Sequence, residues 1–233
     1  MCGRYATTRS AGDLSALFES YDDTGGRLGP DHNVAPTDPV PLVRVDAEAG
    51  RVLSVGRWGL VPHWSRSAAG AARMINARAE TVATSRAYAD PFARRRCLVP
   101  ADGWYEWVRR PGGGKQPYYM TPRDGSVLAF AGIWSRWESL LTFSVLTTAA
   151  VGELAEVHDR MPLLLPRERW DDWLAPADDP VALLTPPPAR WLAGLEIRPV
   201  GRAVGDVRNG GPGLIERVSL PDGERAGEEI TLF

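Results

Sequence analysis

Cysteine is nearly absent from this chain of 233 residues: Cys2 and Cys97 are the whole supply. Two thiols exclude a disulfide framework and a Cys-rich zinc site. Cys97, inside Cys97-Leu98-Val99, reads as a small buried hydrophobe. Histidine is scarce too, and His32, His63 and His158 show no ligand spacing, so no metal is expected. No apolar run approaches the ~20 residues of a membrane helix. The first residues also lack the basic-then-apolar order of a secretory signal. The expectation is a cytoplasmic protein without membrane contact. A single lysine, Lys115, stands against 26 arginines, while the net charge is only -2. That sum does not announce a nucleic-acid binder. Arginine forks suit bidentate phosphate contacts, and a genome favouring arginine codons explains the same bias.

The hydrophobic content, 44%, is ample for one buried core. Leu14, Leu17, Phe18 and Tyr21 fall at helical spacing behind the candidate caps Ser10 and Asp13, predicting a helix over 13–21. Alternation and β-branched content predict strands over 40–45, 52–60, 97–108, 118–121, 127–137, 141–148, 161–165 and 195–200. Short helices are expected around 85–92, 153–158 and 167–174. The stretch 201–213 is glycine-rich, and Pro186-Pro187-Pro188 marks a connection rather than a domain boundary. Eight or nine strands with three or four short helices predict an α+β fold, a single domain with a largely antiparallel, barrel-like β-sheet and a few short helices.

The chemistry starts at Met1-Cys2-Gly3. Removal of Met1 would leave Cys2 with a free α-amine beside its own thiol, groups that titrate at about 7.7 to 8.0 and about 8.5 when unperturbed. A 1,2-aminothiol condenses with an aldehyde to an imine and then closes a five-membered thiazolidine. Such a reaction needs a proton shuttle, a second acid or base, a polar anchor and cations for flanking phosphates. Glu106 in Trp104-Tyr105-Glu106-Trp107 fits either a desolvated acid–base group or an ordinary strand carboxylate facing water. His158, in Val157-His158-Asp159-Arg160-Met161-Pro162, fits either a reactive imidazole or a structural one bonded to Asp159.

Seven ordered blocks carry a resemblance. Cys2-Gly3-Arg4-Tyr5, Asn33-Val34-Ala35-Pro36, Trp58-Gly59-Leu60-Val61-Pro62, Asn76-Ala77-Arg78-Ala79-Glu80-Thr81, Ala101-Asp102-Gly103-Trp104-Tyr105-Glu106-Trp107, His158-Asp159-Arg160-Met161-Pro162 and Arg202-Ala203-Val204-Gly205-Asp206-Val207-Arg208-Asn209 resemble the successive signatures of the SOS-response-associated peptidase (SRAP) family. The resemblance spans a domain over 1–216 and leaves 217–233 as a tail.

What the resemblance implies is shielding of abasic sites in single-stranded DNA through a covalent thiazolidine at Cys2, with autoproteolytic loss of Met1. It implies Cys2 as nucleophile, Asn76 as the anchor of the amine, Glu106 as proton shuttle and His158 as the aid to sugar opening. Arg4 and Arg78 become phosphate contacts, Trp64 with Pro36 and Asn33 a wedge against duplex, and Thr147 a sugar contact. A loop-capping role for Asn33 is the alternative. Ser65 stands where some relatives carry a second aromatic. The expected partner is single-stranded DNA containing an abasic site, met by a monomer at the nucleoid without cofactor. Two rival readings remain open. An N-terminal-nucleophile glutamine amidotransferase explains Cys2 but leaves Trp64, Glu106 and His158 without roles. A non-covalent single-strand-binding module predicts salt-dependent binding indifferent to Cys2→Ala.

Overall fold

The computed structural model describes residues 3–110 and 113–220. In chain order the strands and helices are β1 (Tyr5–Thr7), α1 (Ala11–Phe18), β2 (Tyr21–Asp22), β3 (Asp31–Val34), β4 (Pro39–Asp46), β5 (Gly50–Trp58), β6 (Asn76–Arg78), α2 (Ala89–Arg94), β7 (Arg96–Ala101) and β8 (Gly103–Arg109). They continue with β9 (Lys115–Pro122), β10 (Leu128–Trp137), β11 (Leu140–Ala149), α3 (Leu154–Val157), β12 (Arg160–Pro162), α4 (Trp170–Leu174), α5 (Ala189–Leu192) and β13 (Leu195–Pro199). Short 3-10 turns fill several of the connections, including Arg202–Gly205 in the glycine-rich stretch.

Five strands close a barrel. Antiparallel pairs β5–β4, β4–β7, β7–β10 and β10–β11 form the wall, and β11 returns to β5 as a parallel pair at Thr142↔Arg57 and Phe143↔Trp58. A second sheet, ordered β13-β9-β8-β1-β3, lies against it. Alternation along the strands splits the core in two. Leu42, Val99, Phe130, Phe143 and Val145 share one cluster with Tyr5, Trp104, Tyr118 and Met120 of the second sheet. Leu53, Leu98, Ala131 and Leu146 point the other way and are covered by Leu14 and Phe18 of α1 and by Trp170 and Trp173 of α4. Tyr5 pins the two sheets together, its ring edge-on to Trp58 at 5.0 Å and to Phe130 at 5.9 Å.

The α+β, barrel-containing class is as expected, and several boundaries differ. The stretch 97–108 is two strands in two sheets. Asp102 breaks it by accepting the backbone N–H and hydroxyl of Thr8 at 2.6 and 2.7 Å. Gly103 then starts β8 where a methyl would lie 2.3 Å from the Met120 carbonyl oxygen and 2.5 Å from the Tyr119 ring. The first helix stops at Phe18, because Glu19 turns left-handed and Tyr21 pairs with β5; Ser10 is its cap, accepting the Asp13 N–H at 3.1 Å. The second helix covers 89–94 rather than 85–92. The tail expected from 217 begins in contact with the domain: Arg217 bridges Val200, the Val218 N–H donates to the Pro199 carbonyl at 2.9 Å, and Leu220 packs on the core.

Candidate active site

Cys2 and Met1 lie outside the described residues, but the strand that follows them has a direction. Tyr5 pairs with Trp104 and Ala6 with Gly103, and the Tyr105 N–H donates to the Arg4 carbonyl at 2.9 Å. This antiparallel register sets Arg4 beside Tyr105, one residue from Glu106. On β8, Tyr105 and Trp107 pack with Tyr119, Val200 and Val204 on the outer face. Trp104, Glu106 and Val108 therefore share the inner face, where Trp104 and Val108 join the central cluster. Glu106 is only 4% exposed, and Tyr118 of β9 stands opposite it in the ladder. Burial, aided by the Asp159 carboxylate, pushes its carboxyl up to about 7. The structure thus selects the desolvated form of Glu106 over the water-facing one.

Asn76 and Arg78 arrive on β6, a three-residue strand laid parallel to β11 with Asn76 opposite Val145 and Arg78 opposite Thr147. Ala77 between them faces the helix-covered side, so Asn76 and Arg78 share the face of Val145. Asn76 is half-buried and Arg78 exposed. Thr147 is fully buried, its carbonyl accepting from the Ala79 N–H at 2.9 Å and from the Arg160 guanidinium at 2.5 Å.

His158 follows α3, which packs against β8. Its Nδ1 accepts the Arg160 N–H at 2.9 Å, with Asp159 Oδ1 at 2.7 Å. Burial lowers its pKa, and Asp159 opposes that shift. Arg160, a residue the sequence reading passed over, ties these pieces together: its guanidinium forks onto both oxygens of Glu80 at 2.6 and 2.9 Å while holding Thr147. The signal was available, since Glu80 and Arg160 are opposite charges in two of the quoted blocks.

The remaining candidates have partners of their own elsewhere in the fold. The Arg4 side chain turns to the outer face, donating to Asn33 Oδ1 at 2.7 Å and the Val204 carbonyl at 3.0 Å. Asn33 is 3% exposed and its amide donates to the Asp206 and Asn209 carbonyls. These two residues brace the start of β1 against the 202–209 segment. Pro36 is half-buried in a turn held by Asp38, which accepts the Ala35 N–H at 2.8 Å. The Thr37 N–H donates to the Trp58 carbonyl at 2.7 Å, joining that turn to the root of the Trp64 loop. Trp64 is 51% exposed, with the Arg86 guanidinium 4.8 Å over its ring. Arg86 had no signal in the sequence, because only the folded loop brings it to the indole. Gly59 starts the loop at φ +126°, and a Cβ there would meet the Ala71 carbonyl oxygen at 2.5 Å. Among the described residues no group of three or more His, Cys, Asp or Glu side chains could hold a metal ion, and no helix is long and apolar enough to cross a membrane.

Fold and site together define a mixed barrel protein with a buried, proton-retaining carboxyl on the inner face of β8. The sequence model of the family described as SOS response associated peptidase (SRAP) matches residues 1–207. The chain belongs to that family. It is 33% identical over 227 residues to the abasic site processing protein YoqW of Bacillus subtilis, covering 93% of this chain and 99% of that one. The abasic site processing protein YedK of Escherichia coli is 32% identical over 231 residues, covering 94% and 100%. HMCES of Gallus gallus, also named an abasic site processing protein, is 30% identical over 270 residues, covering 94% and 79%. A crystal structure of a protein from Bacteroides thetaiotaomicron superposes with a TM-score of 0.80 at 25% identity, covering 94% of this chain and all of the other.

Proposed function

We propose that this protein traps abasic sites in single-stranded DNA as a thiazolidine crosslink on Cys2. The reading rests on Glu106, a buried carboxyl poised near neutrality on β8, the strand with which β1 pairs. After loss of Met1, the Cys2 amine attacks the aldehyde carbon of the opened sugar. The Glu106 carboxyl protonates the resulting alkoxide and takes one proton from the nitrogen, giving the carbinolamine; it then protonates the hydroxyl, which leaves as water, and takes the second nitrogen proton, giving the imine. The thiol then adds to the imine carbon, its proton passing to nitrogen. Closure of that ring removes the imine that would otherwise allow β-elimination and strand scission.

Asn76 anchors the amine, and His158 assists sugar opening. Arg78, exposed on the same face, holds a phosphate next to the lesion, and Trp64 with Pro36 excludes an intact duplex. Thr147, being buried, acts through the sugar-side wall it forms with Arg160. Arg4 and Asn33 serve by fixing the origin of β1. Removal of Met1 is a hydrolysis at the same centre. The partner is single-stranded DNA and the working form a monomer.

Intact mass tests the proposal. The purified protein is expected without Met1, and incubation with an oligonucleotide carrying one abasic site should add the oligonucleotide mass minus one water. Cys2→Ala should abolish the adduct and retain much of the noncovalent affinity. Processed protein that forms no adduct would defeat the reading.

A further inference from the structure

Two partners compete for one ring nitrogen of His158. The Arg160 backbone N–H donates to Nδ1 at 2.9 Å, and Asp159 Oδ1 lies 2.7 Å from the same atom. A ring nitrogen accepts from Arg160 only with its lone pair bare, and donates to Asp159 only with a hydrogen attached. The two contacts therefore belong to two protonation forms. With Arg160 as partner the ring is neutral and its hydrogen sits on Nε2. With Asp159 as partner Nδ1 carries the hydrogen, as in the imidazolium or the opposite neutral tautomer. Because Nδ1 is turned to its own loop, Nε2 is the nitrogen facing away from it.

We infer that Asp159 is a positioning residue that makes the Nε2 proton of His158 transferable, so that His158 acts as a general acid when a closed abasic sugar opens. This inference rests on the abasic-site reading above. The Arg160 N–H alone favours the neutral Nε2–H ring, whose N–H is too weak an acid to protonate a sugar oxygen. Asp159 holds the imidazolium by its Nδ1–H, and it stays bonded to the tautomer left behind when Nε2 gives up its hydrogen. In the step, Nε2–H protonates the ring oxygen O4′ as the C1′–O4′ bond breaks. The C1′ hydroxyl proton passes to the Glu106 carboxylate, and the C1′ aldehyde forms. One proton leaves His158 and one reaches Glu106, so charge and atoms balance.

The charged and titratable surroundings of His158 come from several elements. Its own loop supplies Asp159 and Arg160, α3 supplies Glu156 and the cap position before α3 supplies Glu153. Glu106 lies on β8, beneath α3, and Tyr118 on β9 beside it. Glu80, beyond β6, is held by the Arg160 guanidinium. Glu80 is already paired with Arg160, whereas Asp159 is the carboxylate within hydrogen-bond distance of Nδ1. Asp159 is 85% exposed, so solvent moderates its pull on the ring.

The test is a nitrogen-15 NMR titration of His158 in the full chain, wild type and Asp159→Asn, paired with adduct rates across pH. Two oligonucleotides are compared, one with an abasic sugar and one with an acyclic aldehyde that needs no ring opening. Asp159→Asn should lower the His158 midpoint by about half a pH unit, roughly a threefold loss of imidazolium near neutrality. It should slow the abasic-site adduct correspondingly and spare the acyclic aldehyde. An unchanged midpoint, or equal slowing on both aldehydes, overturns the inference. Absence of any adduct from the wild type defeats the abasic-site reading instead, while the His158 midpoint still decides whether Asp159 is coupled to the ring.

Discussion

At the scale of single residues, Glu106 is a group whose burial costs stability once it ionises and, in the mechanism proposed above, serves chemistry. Flanked on its strand face by Trp104 and Val108, it keeps its proton up to about 7, well above the roughly 4.3 of a free glutamate. A folded carboxyl with a raised pKa binds a proton that the unfolded chain has released. Its contribution is therefore fully present below the unfolded value and is lost as pH climbs through the folded one. Glu106→Gln stays neutral throughout. Urea unfolding at pH 8 should find the variant more stable by up to on the order of 3 kcal/mol, with no difference at pH 4. Adduct formation should meanwhile slow by about a hundredfold or more, because the proposed proton shuttle is gone. Gain of stability with loss of reaction would mark the carboxyl as functional. The residue type and its aromatic neighbours were legible in the sequence. Which face of β8 they occupied was not, because Trp104, Tyr105 and Trp107 supply apolar neighbours to both faces.

At the scale of elements, the corner between β7 and β8 decides where Glu106 points. Residues 97–108 are rich in apolar and aromatic side chains on both sides of Asp102-Gly103 and read from the sequence as one strand. The change of sheet depends on Asp102 bonding to Thr8, a residue 94 positions away. It depends equally on Gly103 admitting the Met120 carbonyl and the Tyr119 ring. Helix α1 was legible because its cap, Ser10, is local. By contrast β6 is too short to declare itself and exists by pairing with β11. Gly103→Ala places a methyl against backbone that cannot yield, so the loss of stability should be about 3 kcal/mol or more. Thermal unfolding would measure it, and the loss should be larger than for alanine at Gly29, whose added Cβ meets nothing within 4 Å.

At the scale of the whole molecule, the barrel is closed by a parallel contact between β5 and β11, about 85 residues apart in sequence, and no local pattern announces it. Strands β6 and β12 also pair with β11, setting Arg78 opposite Thr147 and Arg160 opposite Ala149, which is why Arg78 and Thr147 could be named from the resemblance but not grouped from spacing. With a net charge of -2, the DNA binding proposed above would draw on a local surface rather than on the molecule's overall field. Many arginines are already committed within the fold: Arg44 to Asp46, Arg51 to Asp171, Arg95 to Asp90, Arg160 to Glu80, Arg198 and Arg217 to Glu196. Arg78 is exposed and its side chain makes no hydrogen bond or ion pair among the described residues, its backbone carbonyl accepting from the Thr81 N–H, so a phosphate meets the guanidinium without first breaking an ion pair. Each phosphate contact releases counterions and steepens the fall of affinity with salt. Arg78→Ala should therefore weaken binding to single-stranded DNA and flatten the log K against log salt slope by about 0.7. The same change at Arg198 should leave the slope unaltered. Fluorescence anisotropy across a salt series reads both, and equal slopes for Arg78→Ala and wild type would remove Arg78 from the interface.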